Sequence, residues 1–173
     1  MTGEYPKPTS TEFPEPPREI VDAEGREIEL QEATASEIDS LVEMYFDFDP
    51  EDRAQGIPPA SEDDIREWLN LLFGEDGINV IARHDGDAVG HVTLVADRTG
   101  DYELAIFVLQ PYQGAHIGTE LVLTALGVAK REGVDRIWLT VERWNRPAIR
   151  LYEKAGFEMV DNESFELEME LQL

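Results

Sequence analysis

The stretch that most constrains the fold is PYQGAHIGTELVLTALGVAKREG, from Pro111 to Gly133. It begins with small residues and continues without a break into an amphipathic helix. The apolar stripe of this helix consists of Ile117, Leu121, Ala125 and Val128. The first N–H groups of a helix have no partner inside the helix, and the helix dipole adds partial positive charge there. Small residues would leave the N–H groups of residues 113–119 open to an anion such as phosphate. A tight strand-to-helix turn with glycines for steric reasons alone is the alternative, because short glycine patterns are weak signals.

Length and composition indicate one domain with a proper core. The chain has 173 residues, of which 42% are hydrophobic and none is cysteine. No apolar run approaches the roughly 18–20 residues that cross a bilayer, and the acidic, proline-rich N-terminus is unlike a signal peptide. Without cysteine, disulfides and thiolate metal sites are excluded, and the compartment cannot be read from redox chemistry. We expect no metal and no membrane partner, with the cytoplasm as the default location.

The charge of the chain is its most unusual property. Asp and Glu number 38 against 14 Lys and Arg, which gives a net charge of −24. The acids are spread over every predicted helix and strand, which favours a surface adapted to strong salt, because salt screens self-repulsion. An ordinary acidic domain, or a surface that recruits a basic partner, is the alternative. A nucleic-acid partner is disfavoured because the chain has no basic face.

The periodicity predicts a mixed α+β fold. Residues 1–17 hold five of the ten prolines and predict an extended or mobile arm, and residues 18–173 predict one domain. A hairpin turning at Glu24-Gly25 is followed by two helices, with Ser36 and a serine before Glu62 as caps. The full order is β-β-α-α-β-β-β-α-β-α-β-β, typical of a mostly antiparallel twisted sheet of about seven strands with helices on its faces.

A second motif, NRPAIRLYEKAGF, predicts a short helix with proline in its first turn and Gly156 as its stop. Asn145 and Tyr152 are seven residues apart and would share one face of it. Because that face also carries apolar residues, Tyr152 is expected to point towards the sheet, where its hydroxyl needs a partner. A purely structural core tyrosine is the alternative.

Residues 101–157 resemble the core of the GNAT acyltransferases, which bind acetyl-CoA and acylate amines. The loop of that family reads Q/R-x-x-G-x-G/A, and this chain has Gln113, His116 and Gly118 at the fixed positions. The strand ELAIFVL before the loop and the N-x-x-A-x-x-LY-x-x-x-GF run after it are similar to the family as well. His116 departs from the pattern by replacing a glycine, which is tolerable if its φ is negative.

The resemblance implies an acetyl-CoA-dependent N-acetyltransferase that acts by direct attack of an amine in a ternary complex. The residues implied to bind acetyl-CoA are Phe107, Val108, Gln113, Gly114, Ala115, His116, Ile117, Gly118, Thr119 and Asn145. Among them, Phe107 and Val108 are expected to pair with the pantetheine amides as an added strand would, and Val108 N–H to bind the oxyanion.

Two catalytic residues are implied. A primary amine with a pKa of about 10.4 is neutral only to about one part in 2,500 at pH 7, so a base is needed, directly or through water. Glu103 is the candidate base, with His91 as second choice, although Glu103 is one glutamate among many in this chain. Tyr152 is the implied acid that protonates the leaving thiolate.

The acceptor is expected beside the first two helices and their connection, with Tyr45 and Asp49 as contacts. The N-terminal hairpin and the FDPEDR stretch are similar to the acyltransferase domain of bacterial protein-lysine acetyltransferases, which favours a lysine side chain over a small amine. An acyl-CoA sensor or interaction module without turnover is the alternative function. A homodimer formed through the last strands is an option that the sequence leaves open.

Overall fold

The computed structural model describes residues 13–52, 57–161 and 166–173. The strands are β1 (Arg18–Val21), β2 (Glu27–Glu32), β3 (Ile78–His84), β4 (Asp87–Ala96), β5 (Tyr102–Val108), β6 (Arg136–Glu142), β7 (Glu158–Asp161) and β8 (Glu166–Gln172). The helices are α1 (Ile38–Phe46), α2 (Glu62–Leu72), α3 (Ile117–Arg131) and α4 (Arg146–Ala155). This is the predicted order of elements.

All eight strands form one sheet in the order β1-β2-β3-β4-β5-β6-β8-β7. Every neighbouring pair is antiparallel except β5 and β6, which are parallel because α3 connects them across one face. The expected mostly antiparallel sheet is confirmed, and all eight strands of the predicted order belong to it, where about seven were expected in the sheet.

Two apolar cores lie on opposite faces of the sheet. The larger core packs α3 and α4 against one face, and the stripe of α3 predicted from the sequence is fully buried in it. The smaller core packs α1 and α2 over β3 and β4 on the other face. No helix within the described ranges is both long and apolar enough to cross a membrane.

The caps of the first two helices were predicted with mixed success. The Ser61 hydroxyl accepts a hydrogen bond from Asp64 N (3.2 Å) and caps α2 as expected. Ser36, in contrast, lies inside a 3₁₀ turn, Ala35–Glu37, and the residue that precedes α1 is Glu37. The serine prediction failed because the sequence pattern does not distinguish a 3₁₀ turn from the first turn of an α-helix.

Residues that precede the predicted domain start at residue 18 also pack against the domain. Phe13 packs against the larger core, and Glu15 lies 3.5 Å from Arg131 of α3. At Gly127, an added Cβ would stand 2.0 Å from the carbonyl oxygen of Pro14. Gly127 is therefore the site at which residues 13–14 cross the backbone of α3. Residues 1–12 of the predicted arm lie outside the described residues.

We expect Gly127→Ala to lower the melting temperature, although alanine is favoured over glycine inside a helix by about 1 kcal/mol. The clash with Pro14 outweighs that gain, since overpacking costs about 1–3 kcal/mol. The control is the same substitution in a chain that begins at Glu15, where it should raise the melting temperature. Stabilisation in both chains would contradict the assigned contact.

Candidate active site

The two parallel strands of the sheet separate soon after they begin. β5 and β6 pair only at Tyr102 with Ile137 and at Glu103 with Trp138. Beyond Glu103 the strands diverge, although each has several residues left. The divergence leaves a gap in the sheet that connects the α3/α4 face with the α1/α2 face.

The hydrogen-bond register decides which main-chain groups of β5 face this gap. Leu109 N donates to Val89 O (2.9 Å), and the register from that pair back to Tyr102 is one to one. Because hydrogen-bonded and non-bonded pairs alternate in an antiparallel ladder, the main-chain groups of Phe107 face β4. Those of Ile106 and Val108 face the gap instead.

The loop between β5 and α3 opens at the same end of the gap. In the described part of the chain, the N–H groups from Gly114 to Thr119 donate to no protein acceptor. Gln113 differs from the prediction, since its N–H donates to Gln110 O (3.1 Å). Its side chain is also engaged, because Nε2 donates to Val108 O (3.0 Å) and to Asp52 Oδ2 (3.1 Å).

His116 has a positive φ of 73°, in the left-handed region that favours glycine. The condition under which a histidine would be tolerated without strain, a negative φ, is therefore not met. His116 ends the loop and immediately precedes α3, and its side chain is exposed. The chain thus keeps the backbone conformation that suits a glycine and bears the strain of a histidine there.

Gly118 serves helix packing. A Cβ at this position would lie 3.0 Å from Leu151 Cδ1 of α4 and 3.6 Å from Ile106 Cδ1. The missing side chain lets α4 pack against the first turn of α3 and against β5. This packing fixes α4 beside the gap.

α4 places Tyr152 on the α3/α4 face of the sheet. Asn145 is the N-cap of this helix, and its side-chain oxygen accepts from Ala148 N (3.3 Å), so that oxygen is already engaged. Tyr152 is buried beside the ring of Phe157, and burial raises its pKa to about 12. Its hydroxyl has no hydrogen-bond partner among the described residues. A protonated hydroxyl is therefore available for a ligand.

Glu103 lies where the strands separate, and strand alternation places its side chain on the α1/α2 face. Its pKa is raised, first by burial and then by the negative charges of Asp97 and Glu166. A carboxylate with a raised pKa is a better proton acceptor near neutral pH. Glu103 and Tyr152 thus flank the gap from opposite faces.

The second-choice base, His91, is part of a buried network. Asn79 Nδ2 donates to Leu72 O (3.0 Å), which leaves Asn79 Oδ1 to accept from His91 Nε2 (2.8 Å). The other ring nitrogen, Nδ1, then accepts from the Tyr45 hydroxyl (2.5 Å). Burial lowers the pKa of His91 to about 3. A neutral, fully enclosed imidazole cannot take a proton from an amine, so His91 has a structural role.

The same network excludes Tyr45 as the predicted contact of the acceptor. Tyr45 lies on the buried side of α1 and is fully enclosed, and its ring packs edge-on against Trp68 and Phe107. The part of this aromatic cluster that keeps solvent access is formed by Trp68 and Phe107. Asp49 is partly exposed in the loop after α1, and its Oδ1 accepts from Glu51 N (2.9 Å).

Comparison with known proteins identifies this arrangement. Residues 38–157 match the sequence profile described as the acetyltransferase (GNAT) family. The chain belongs to the GNAT family.

Individual GNAT relatives are similar over part of their length. An uncharacterized N-acetyltransferase of Mycobacterium tuberculosis (strain H37Rv) is 36% identical over 87 residues, which are 50% of this chain and 56% of the relative. A mycothiol acetyltransferase of Saccharomonospora viridis is 31% identical over 127 residues, 68% of this chain and 40% of the relative. The chain thus covers little more than half the length of the mycobacterial relative.

Solved structures share the GNAT fold. The GNAT domain of S. lividans PAT superposes with a TM-score of 0.77 at 18% identity, over 90% of this chain and 96% of that one. The PaiA N-acetyltransferase of Thermoplasma acidophilum, in complex with coenzyme A, gives a TM-score of 0.66 at 20% identity, over 84% and 99%.

Most of the predicted GNAT site residues surround the gap, while two assignments change and one residue was missed. Phe107 is wrong as a partner for a main-chain ligand because its main chain faces β4, while Ile106 was missed. Tyr45 is too deeply buried to contact an acceptor. Strand alternation would have identified Ile106 as a residue whose main chain faces the gap, but only if the register of β5 against β4 had been known.

We expect His116→Gly to stabilise the fold, because a residue other than glycine in the left-handed region costs about 1–2 kcal/mol. The melting temperature should rise while the affinity for coenzyme A stays equal or improves. His116→Ala is the matched control and should give no such rise, since alanine keeps the strain. A large loss of affinity in His116→Gly would instead make the imidazole a ligand of the cofactor.

Proposed function

We propose that the protein is an acetyl-CoA-dependent N-acetyltransferase that acetylates a primary amine. The observation that carries the proposal is the gap between β5 and β6, which the main chains of Ile106 and Val108 face and which opens at the N-terminus of α3. An extended arm with amide groups can add to such an edge as a strand does, and a pyrophosphate fits unpaired N–H groups at a helix start. The residues present therefore suit acetyl-CoA. The mycobacterial relative is named an N-acetyltransferase, which agrees with the proposal.

Backbone groups would carry most of the binding. The loop from Pro111 to Thr119 has no lysine or arginine, so its N–H groups and the dipole of α3 hold the phosphates. Asn145 Nδ2 is available to the arm because only the side-chain oxygen serves as the cap of α4.

Bound acetyl-CoA supplies an acetyl group activated as a thioester. Ile106 and Val108 offer N–H groups to the thioester oxygen, on which negative charge develops during attack. Val108 O is held by Gln113, which fixes the end of the strand. We therefore assign the oxyanion contact to Ile106 or Val108, and no longer to Val108 alone.

Tyr152 acts on the leaving sulfur. With a pKa of about 12 its phenol stays protonated at working pH, so it acts as an acid by donating a hydrogen bond to the thiolate as it leaves. The proton stays on the phenol, because a thiolate whose conjugate acid has a pKa of about 8.5 is the weaker base. Its helix is anchored by the Asn145 cap and by the packing of Leu151 at Gly118.

Glu103 acts as the base for the amine. It precedes Ile106 by three residues, about 10 Å along a strand, so it takes the proton through water. The acceptor enters on the α1/α2 face, where Asp49 and Asp52 provide negative charge and Trp68 an apolar wall for a cationic side chain. The acceptor class is a protein lysine or a small primary amine.

We expect Glu103→Gln to lower kcat/KM for the amine by about 10²–10⁴ and to remove the acidic limb of the pH profile. The limb in the unaltered protein should lie above the ordinary glutamate range because the pKa of Glu103 is raised. Activity is present above that pKa and lost below it. Glu168→Gln is the control with equal charge loss, because Glu168 of β8 lies on the same face of the sheet as Glu103. This variant should keep the acidic limb of the pH profile. An unchanged limb in Glu103→Gln excludes Glu103 as the base.

We expect Tyr152→Phe to lower kcat by about 10²-fold, within the range of general acid catalysis, with the dissociation constant of acetyl-CoA changed less than about twofold. Tyr102→Phe is the control, because Tyr102 packs against the same core on β5. Full turnover by Tyr152→Phe would show that the phenol is not the acid.

Release of coenzyme A, measured with lysine peptides and small amines in about 1 M KCl and at low salt, identifies the acceptor class and tests the salt adaptation inferred from the charge of −24. Turnover on at least one acceptor supports the enzyme. Binding of acetyl-CoA without turnover on any acceptor favours a sensor.

A further inference from the structure

The turn between β1 and β2 is organised by one buried carboxylate. Asp22 accepts from Glu24 N (3.0 Å), from Arg26 N (2.8 Å) and from Arg26 Nε (2.7 Å). The Asp22 side chain is inaccessible to solvent, and that of Arg26 is 23% exposed. The turn and the guanidinium therefore form one fixed unit.

This unit contacts the loop that precedes α3 at three places. Ala23 N donates to Ala115 O (3.1 Å), and Arg26 Nη1 donates to Pro111 O (3.1 Å). Between these points the Arg26 guanidinium lies over the ring of Tyr112, 4.2 Å from its centroid. The Tyr112 hydroxyl is in turn bonded to His84 Nδ1 (2.7 Å). The stretch 111–115 is thus held at Pro111, Tyr112 and Ala115 by a turn far earlier in the chain, with a separation of 85 residues between Arg26 and Pro111.

These contacts set the direction of the N–H groups. In a trans peptide the carbonyl and the next N–H point in opposite directions, so tying Ala115 O to Ala23 turns His116 N–H away from the hairpin. That N–H belongs to the row from Gly114 to Thr119 that has no protein acceptor. A loop held in this way has its donors ordered before the anion arrives, which lowers the entropic cost of binding.

The arrangement leaves Arg26 Nη2 buried without an acceptor among the described residues. The other two nitrogens of the guanidinium are engaged, Nε by Asp22 and Nη1 by Pro111 O, so the same side chain binds the turn and the loop at once.

We propose that Arg26, held by Asp22, is a positioning residue that preorganises the loop 111–119 for the diphosphate of the acyl carrier. The proposal rests on the proposed function and adds the N-terminal hairpin to its binding site. Arg26 acts through Pro111 and Tyr112 and does not itself contact the phosphates.

The test compares Arg26→Met with the unaltered protein by calorimetry with coenzyme A and by steady-state kinetics with acetyl-CoA. We expect the dissociation constant and KM for acetyl-CoA to rise about tenfold, while kcat and KM for the amine change less than about twofold. Tyr112→Leu, which removes the ring under the guanidinium together with its hydrogen bond to His84 and leaves Asp22 paired, should weaken binding in the same direction. Unchanged affinity in the folded variants overturns the proposal.

Arg136→Met is the matched control. Arg136 is also a partly buried arginine with two acidic partners, Asp101 and Glu170, and its side chain is 25% exposed. The substitution removes the same charge at a distance from the loop, and affinity should stay unchanged. An equal loss in this control would show that any charge removal weakens binding, and it overturns the positioning role.

Two further comparisons separate position from charge. Arg26→Lys keeps the charge, but an ammonium cannot bond Asp22 and Pro111 and cover the Tyr112 ring at once, so it should recover little affinity. The loss in Arg26→Met should persist in about 1 M KCl, where the screening length is about 3 Å. Full recovery with lysine, or disappearance of the loss in salt, overturns the proposal. If the unaltered protein shows no heat with coenzyme A, the proposed function itself fails, which is a different result from equal binding by both proteins.

Discussion

The separation of β5 from β6 after Glu103 is the constraint on which the rest of the site depends. Main-chain N–H and C=O groups inside a sheet normally pair, and leaving them unpaired costs free energy when water is excluded. In this chain the cost falls at the edge where Ile106 and Val108 have no strand to pair with. A ligand that presents amides and carbonyls in strand geometry would satisfy the groups that remain unpaired, which is why we propose the gap as the binding site.

The other parts of the site are arranged around that gap. α3 begins at its mouth because a parallel connection from β5 to β6 must cross one face of the sheet, which brings the helix N-terminus close to the strand end. α4 returns the chain to the same place, and Gly118 permits the close packing that fixes Tyr152. On the other face, α1 and α2 cover β3 and β4 and leave Glu103, Trp68 and Phe107 partly accessible to solvent.

The net charge of −24 explains why backbone groups matter so much here. An anion that approaches so acidic a chain is repelled at long range, and strong salt reduces that repulsion. The N–H donors at a helix start attract the anion at short range and need no basic side chain. Arg26, secured by Asp22, places a cation behind the loop that has none of its own.

The sequence predicted the order of elements and the position of the loop before α3, because both depend on local periodicity and on short motifs. It did not predict which residues of β5 face the gap, since Phe107 and Ile106 differ only in a register that is set by β4. The φ of His116 and the burial of Tyr45 depend in the same way on tertiary packing. Arg26 was missed because its partners Pro111 and Tyr112 lie far along the chain.

Amide hydrogen exchange, followed residue by residue with and without acetyl-CoA in about 1 M KCl, tests the central claim most directly. We predict that acetyl-CoA slows exchange at Ile106, Val108 and residues 114–119, while Phe107 is already slow in the free protein. If acetyl-CoA leaves the exchange rates of Ile106, Val108 and residues 114–119 unchanged, the account is contradicted.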